Sequence, residues 1–422
     1  MSFKNKIILF TSLILIFISI SRVEHAREIT IIEPSTKPNP FLIDLSSSFD
    51  EYMNEKVSKV NIPGAAVCIV KDNEIILLKG YGYKNINSRD SVGIQTVFRL
   101  GSVSKSLTST LAGMLVEDKV LNWDDPIQSI LPEFTLKSES TSESLTVKHV
   151  LSHTTGLTRH AYTNLIENGK SLDDMLLALS DVPLIGPVGM HYSYQNVAYS
   201  IIEKVMAAST GKTFEQLLDE KLFLQMNMKN SSASYEGIVS NPDHASPHYY
   251  YRGVLKKSKI SKKYYNAAPA GGINSSISDM ANLMMGLTGN KPWAIKNQTL
   301  DSLYAPQIRT YIKYKYFSSW PKMNKAYYGM GFRVLEYDDK NVIYHGGYVN
   351  GYRSGIALIP EDNIGICILT NYPGNLAHTG IRDFLNMYLE NSEMIDSWQE
   401  KSDLLVEDFP PSIKFPSELI YP

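Results

Sequence analysis

Strand-like runs crowd the two ends of this 422-residue chain, and the stretch between them, about 100–300, reads as helix and loop. Near the start, Ala65-Ala66-Val67-Cys68-Ile69-Val70 and Glu74-Ile75-Ile76-Leu77-Leu78 flank the turn residues Lys71-Asp72-Asn73, a hairpin pattern. Near the end, residues 332–337, 341–344, 352–359 and 364–370 are strand candidates. Asp338-Asp339-Lys340 and Pro360-Glu361-Asp362-Asn363 supply turns between them. Strands confined to both ends must find partners across the intervening residues. The pattern therefore predicts an α+β fold, with an antiparallel sheet whose first and last parts pair across a long, largely helical insertion. Leu45, Phe49, Tyr52, Met53 and Val57 share one face of a helix, and an amphipathic run over 376–389 closes the domain. Both helices are placed to cover the sheet.

The folded body is bounded at 41–392. Before it, Lys4 and Lys6 precede an apolar run from Ile7 to Ile20, a basic region and a hydrophobic region of secretory length. Residues 1–26 are read as a signal peptide or an uncleaved anchor, and either outcome exports the body to a periplasmic or extracellular site. Residues 27–40, with Pro34, Pro38 and Pro40, read as a linker. The tail 393–422, with Pro410, Pro411, Pro416 and Pro422, is expected to be extended. A formal charge of −2 gives no reason to expect nucleic acid as a partner. Membrane attachment would come only through the N-terminus. Two cysteines, Cys68 and Cys367, do not make a disulfide framework and read as small buried residues.

The chemistry concentrates at Phe98-Arg99-Leu100-Gly101-Ser102-Val103-Ser104-Lys105, which opens a helical run. An i, i+3 spacing puts the lysine amine on the same face as the serine hydroxyl. Helix N-terminal amides favour negative charge developing nearby, and a serine attacks only when a neighbouring base takes its proton. Ser-x-x-Lys by itself is weak evidence, because it also occurs at Ser209/Lys212 and Ser319/Lys322. Two further motifs single out the first occurrence. Tyr194-Gln195-Asn196 follows Ser102 by 92 residues, and His345-Gly346-Gly347 follows Tyr194 by 151, at the end of a predicted strand.

In that order the three motifs resemble the set of the serine β-lactamase and penicillin-binding protein superfamily, in its class C-like branch. Leu151-Ser152-His153-Thr154-Thr155-Gly156-Leu157, Ala270-Gly271-Gly272, Tyr328-Gly329-Met330-Gly331-Phe332 and Leu369-Thr370-Asn371 extend the resemblance over about 45–390. The resemblance implies a five-stranded antiparallel sheet flanked by terminal helices, with no cofactor and no metal. It implies Ser102 as the acyl-accepting nucleophile, with Lys105 and Tyr194 sharing its proton. Asn196 would hydrogen-bond the substrate amide, and His345 would stand with it among the substrate-binding residues. The backbone N–H groups of Ser102 and Tyr348 would form an oxyanion hole, and Gly346 and Gly347 would allow close approach of the substrate. In the family's sheet the first and last strands lie side by side, so Cys68 and Cys367 are expected as neighbours, more readily as two thiols than as a bridge.

One position departs from the pattern. Class C β-lactamases carry lysine where this chain has His345, and a histidine there resembles the peptidase and esterase relatives. The implied substrates are D-Ala-containing cell-wall peptides or related amides and esters. A β-lactamase and a non-hydrolytic penicillin-binding or sensor protein of the same fold are the alternatives.

Other motifs carry less. His149 and His153 have i, i+4 spacing, but no acid stands between them as in His-Glu-x-x-His. No acidic residue lies between Asp243 and Asp279, where Arg252, Lys256, Lys257, Lys259, Lys262 and Lys263 mingle with Tyr249, Tyr250, Tyr251, Tyr264 and Tyr265. That stretch is either a solvated surface loop or a cleft wall facing an anionic substrate. Arg353 is a further candidate for a substrate carboxylate.

Overall fold

A computed structural model describes residues 39–311 and 317–398. Helix α1 (Pro40–Lys59) buries Leu45, Phe49, Met53 and Val57, the predicted stripe. Strands β1 (Gly64–Lys71) and β2 (Glu74–Gly82) form the first hairpin, and a short β3 (Val97–Arg99) leads to a 3₁₀ turn at Gly101–Val103. Helix α2 (Ser104–Glu117) follows, and after several short helices comes α3 (Asn196–Thr210). The ribbon strands β4 (His248–Tyr251) and β5 (Val254–Lys257) precede β6 (Asn274–Ser276) and α4 (Ile277–Leu287). The chain then runs through β7 (Ile308–Thr310), β8 (Met323–Tyr328), β9 (Arg333–Tyr337), β10 (Lys340–Val349), β11 (Tyr352–Ile359) and β12 (Ile364–Thr370) to α5 (Leu376–Leu389).

The main sheet has eight strands in the order β2-β1-β12-β11-β10-β9-β8-β7, all antiparallel, where five are expected. The additions at one edge escape a period-two reading for a physical reason. Strand β7 is three residues long, and the β8–β9 register shifts between Met323 and Lys325, which breaks the alternation. Strand β10 also runs past its expected end at Tyr344. Pairing with β9 stops there, and residues 345–349 pair with β11 alone.

First and last parts of the chain do meet. Strand β1 pairs with β12, with Cys68 directly opposite Cys367, and both thiols are free and fully buried. Every residue of β1 and β12 is buried, because helices cover both faces. A methyl group added at Gly365 would meet Met284 of α4, whereas Ile368, one position of opposite parity, lies against Gly380 of α5. Helix α1 joins α5 on that second face through Phe49 and Phe384, packed edge to face at 5.3 Å.

Residues 394–398 are helical, which corrects the extended reading of the tail at its start. The stretch contains no proline, and Asn39 Nδ2 donates to the Ile395 carbonyl at 3.1 Å. The leader 1–26, the linker before residue 39 and the tail beyond residue 398 lie outside the described residues. No helix among those described is long and apolar enough to cross a membrane.

Candidate active site

Segment 268–276 clasps the start of α2 against β3. Strands β3 and β6 pair Phe98 with Ser275, Leu100 N–H donates to the Ile273 carbonyl at 2.9 Å, and Ile273 N–H donates to Ser104 Oγ at 3.0 Å. Thr108 and Ser106 hydroxyls donate to the Pro269 and Gly331 carbonyls. The turn holding Ser102 is thereby fixed to two distant parts of the chain. Ser102 itself is half-buried, and its hydroxyl is bonded to no other described residue.

Lys105, one turn on, is fully buried. Its Nζ donates to Asn196 Oδ1 at 2.8 Å and to the Ala270 carbonyl at 2.7 Å, and lies 4.7 Å from the centre of the Tyr194 ring. Neither hydrogen-bond acceptor carries a charge. Burial therefore drives the ammonium well below the ordinary lysine range. A neutral amine has two N–H bonds, which the two oxygens take, and a lone pair left to receive a proton. That is the requirement for a base beside a serine.

Helix α3 supplies Asn196 at its first residue and Tyr199 one turn later. Tyr199 Oη donates to the Lys105 carbonyl at 2.8 Å and shares a 2.6 Å hydrogen bond with Ser109, tying α3 to α2. With Oδ1 of Asn196 taken by Lys105, its Nδ2 has no partner among the described residues and is available to a substrate carbonyl.

His153 sets the preceding strand-like segment. Its carbonyl accepts from Ser193 N–H at 2.8 Å and its Nδ1 accepts from Gln195 N–H at 3.2 Å, one contact on each side of Tyr194. The imidazole packs 4.3 Å from the Tyr194 ring, and burial keeps it neutral. Its positive φ of 59° is a costly conformation for a non-glycine residue, held by these contacts.

The oxyanion geometry comes from a hairpin. Asn350 and Gly351 have φ of 42° and 92°, the type I′ signature of a two-residue turn. Val349 and Tyr352 flank that turn and are its hydrogen-bonded pair. Alternation then makes Tyr348 and Arg353 a non-hydrogen-bonded pair, so Tyr348 N–H points away from β11. It points to the edge that β9 no longer covers. Gly101 fills that edge: a Cβ there would stand 2.8 Å from Tyr348 N. A Cβ at Gly347 would lie 3.1 Å from Ser102 N and would overlap the Leu100 carbonyl. Both glycines are needed for the two backbones to approach. The N–H groups of Ser102 and Tyr348 thus flank one space at the start of α2.

Gly346 and Gly347 lie inside β10 rather than at its end. His345 is buried, its Nδ1 donating to the Gly346 carbonyl at 3.0 Å and its Nε2 accepting from Tyr328 Oη at 3.0 Å. Burial, then the charge of Arg333, hold it neutral. Both ring nitrogens are occupied, and alternation along β10 puts His345 on the face that Gly347 turns to Ser102. The two other Ser-x-x-Lys matches lie elsewhere, with Lys212 paired to Glu220 and Lys322 to Asp338.

A beta-lactamase family model matches residues 49–386. The chain belongs to the beta-lactamase family. Among its relatives are "Unguisins hydrolase ungD'" of Aspergillus campestris, 23% identical over 80% of this chain and 64% of that protein, and "Protein flp" of Staphylococcus aureus strain MW2, 24% identical over 78% and 63%. The chain thus spans a little under two thirds of the length of these relatives. The fold is also that of an octameric penicillin-binding protein homologue from Pyrococcus abyssi, with a TM-score of 0.68 at 22% identity, over 82% of this chain and 77% of that one. Within this beta-lactamase family chain, sequence reasoning missed the roles of Tyr199, the Ala270 carbonyl and Tyr328. Tyr199 was within reach, since i+3 from Asn196 puts it on the same helix face.

Proposed function

We propose that this protein is an exported serine hydrolase that acylates Ser102 and acts on D-Ala-containing peptides or related amides and esters. The observation that carries the proposal is the buried Lys105 amine, held by two neutral oxygens one turn from Ser102. In the proposed reaction Ser102 Oγ attacks the carbonyl while its proton passes to the Lys105–Tyr194 pair. The negative charge on the carbonyl oxygen is met by the Ser102 and Tyr348 N–H groups. The same pair returns a proton to the leaving group, and water then hydrolyses the ester on Ser102. Asn196 Nδ2 donates to the substrate amide. Export rests on the leader-like residues 1–26.

His345, neutral and occupied on both nitrogens, offers no cation where class C β-lactamases carry lysine, and this favours peptides and esters over β-lactams. A fluorescent penicillin and a chromogenic D-Ala ester, followed by intact mass, test the reading. Ester turnover through a chain one acyl group heavier supports it. Fast penicillin turnover would instead make the protein a β-lactamase, and neither labelling nor turnover would make it a binding protein.

A further inference from the structure

The ribbon β4–β5 stands on its own two-stranded sheet. Its register sets Tyr249 opposite Lys256 and Tyr251 opposite Val254, so these four side chains share one face, and all four are exposed. On the other face His248 is buried, its Nδ1 donating to the Asn371 carbonyl at 2.8 Å, and Tyr250, itself exposed, brings its Oη within 2.9 Å of Tyr372 Oη. Two exposed tyrosines and an exposed valine on one small face make an apolar patch open to a partner.

Its charge is equally one-sided. Of the six cations from Arg252 to Lys263, only Lys263 has an ion-pair partner among the described residues, Glu167 at 2.9 Å. Arg252 and Lys256 instead lie over the Tyr251 ring, at 5.4 and 4.8 Å from its centre. The ribbon's foot touches the site. A Cβ at Gly351 would stand 2.9 Å from His248 N, and Gly351 belongs to the turn that aims Tyr348 N–H. On the same hairpin, Arg353 stacks on the exposed Tyr348 ring at 4.4 Å.

We propose that the β4–β5 ribbon is an exosite for an extended acidic peptide, whose carboxylates pair with Arg252 and Lys256 and whose chain lies across Tyr249 and Tyr251. The open outer edges favour a peptide over other anions, because unpaired strand N–H and C=O groups match the repeat of an extended main chain. That this peptide is the substrate rests on the reading of Ser102 given above; binding to the ribbon does not.

The test is fluorescence anisotropy with labelled hexaglutamate, hexaglutamine and hexalysine on the full chain and on Arg252→Gln/Lys256→Gln and Tyr249→Ala/Tyr251→Ala, all exposed positions. Labelling of Ser102 by a fluorophosphonate is followed in parallel. Saturable hexaglutamate binding that weakens with salt, and that falls at least about fivefold in each double variant, is expected. Fluorophosphonate labelling is expected at the unmodified rate in both variants. Unchanged affinity in the variants, or equal binding of hexalysine, would overturn the proposal. So would displacement of hexaglutamate by phosphatidylglycerol vesicles, which would mark the ribbon as a membrane contact. Hexaglutamate binding in a chain that no fluorophosphonate labels would support the ribbon and overturn the hydrolase reading alone.

Discussion

Asn196→Asp turns the neutral acceptor beside Lys105 into an anion without changing its shape. The Lys105 Nζ to Asn196 Oδ1 separation is 2.8 Å. At that distance a unit charge pair is worth about 6 kcal/mol for an effective dielectric near 20. The new carboxylate loses hydration as well, so the net effect falls to the about 1–3 pKa units seen for close opposite charges. The sign follows from the charge: an anion stabilises the ammonium, raises its pKa, and leaves less free amine at any given pH. Initial rates on a chromogenic ester, from about pH 5 to about pH 10, should show the acidic limb of kcat/KM moved upward by about 1–3 pH units. The plateau should fall too, because aspartate lacks the Nδ2 donor, but the limb position reports the amine alone. Asn196→Ala, which adds no charge, should not raise the limb. A limb that stays in place or moves to lower pH in Asn196→Asp would refute Lys105 as a base that works unprotonated.

Gly347→Ala forces a methyl into the Leu100 carbonyl and against Ser102 N, so β10 must move. Overpacking of this kind costs about 1–3 kcal/mol, and acylation should drop further than the denaturant midpoint, since the Tyr348 N–H moves with the strand. Burial first, and then the Glu215 charge, push Glu203 up to about 7 from 4.5. Its contribution to stability is present below pH 4.5 and is lost as pH rises through about 7, so Glu203→Gln should gain about 2 kcal/mol in urea unfolding at about pH 8 and almost nothing at about pH 4. Equal effects at both pH values would contradict the assignment. The opposed Cys68 and Cys367 are free, so denatured, unreduced protein should titrate with two thiols per chain.

What was legible in the residues divides along physical lines. The α1 stripe, the first hairpin and the β1–β12 pairing follow from local periodicity and from the family resemblance, which make Cys68 and Cys367 neighbours, while their direct opposition comes from the structure. Strands β7 and β8 were not legible, one too short and the other bulged. Within the site, the order of Ser102, Lys105, Tyr194 and Asn196 could be read, because each stands in a motif. The ties holding them could not, since the Ala270 carbonyl is backbone and His153 acts through its own carbonyl and a ring nitrogen. Asn350-Gly351 is the informative case. It is the strongest short-range hairpin signal in the chain, it decides where Tyr348 N–H points, and reading it would have extended β10 through His345-Gly346-Gly347.

The central claim is that acyl transfer passes through Ser102. Fluorophosphonate treatment followed by proteolysis and mass mapping of the modified peptide tests it most directly. The account predicts one adduct per chain, on Ser102, with no adduct and no ester turnover in Ser102→Ala, and with Ser209→Ala and Ser319→Ala unaffected. An adduct on any other residue, or ester hydrolysis surviving in Ser102→Ala, would contradict it.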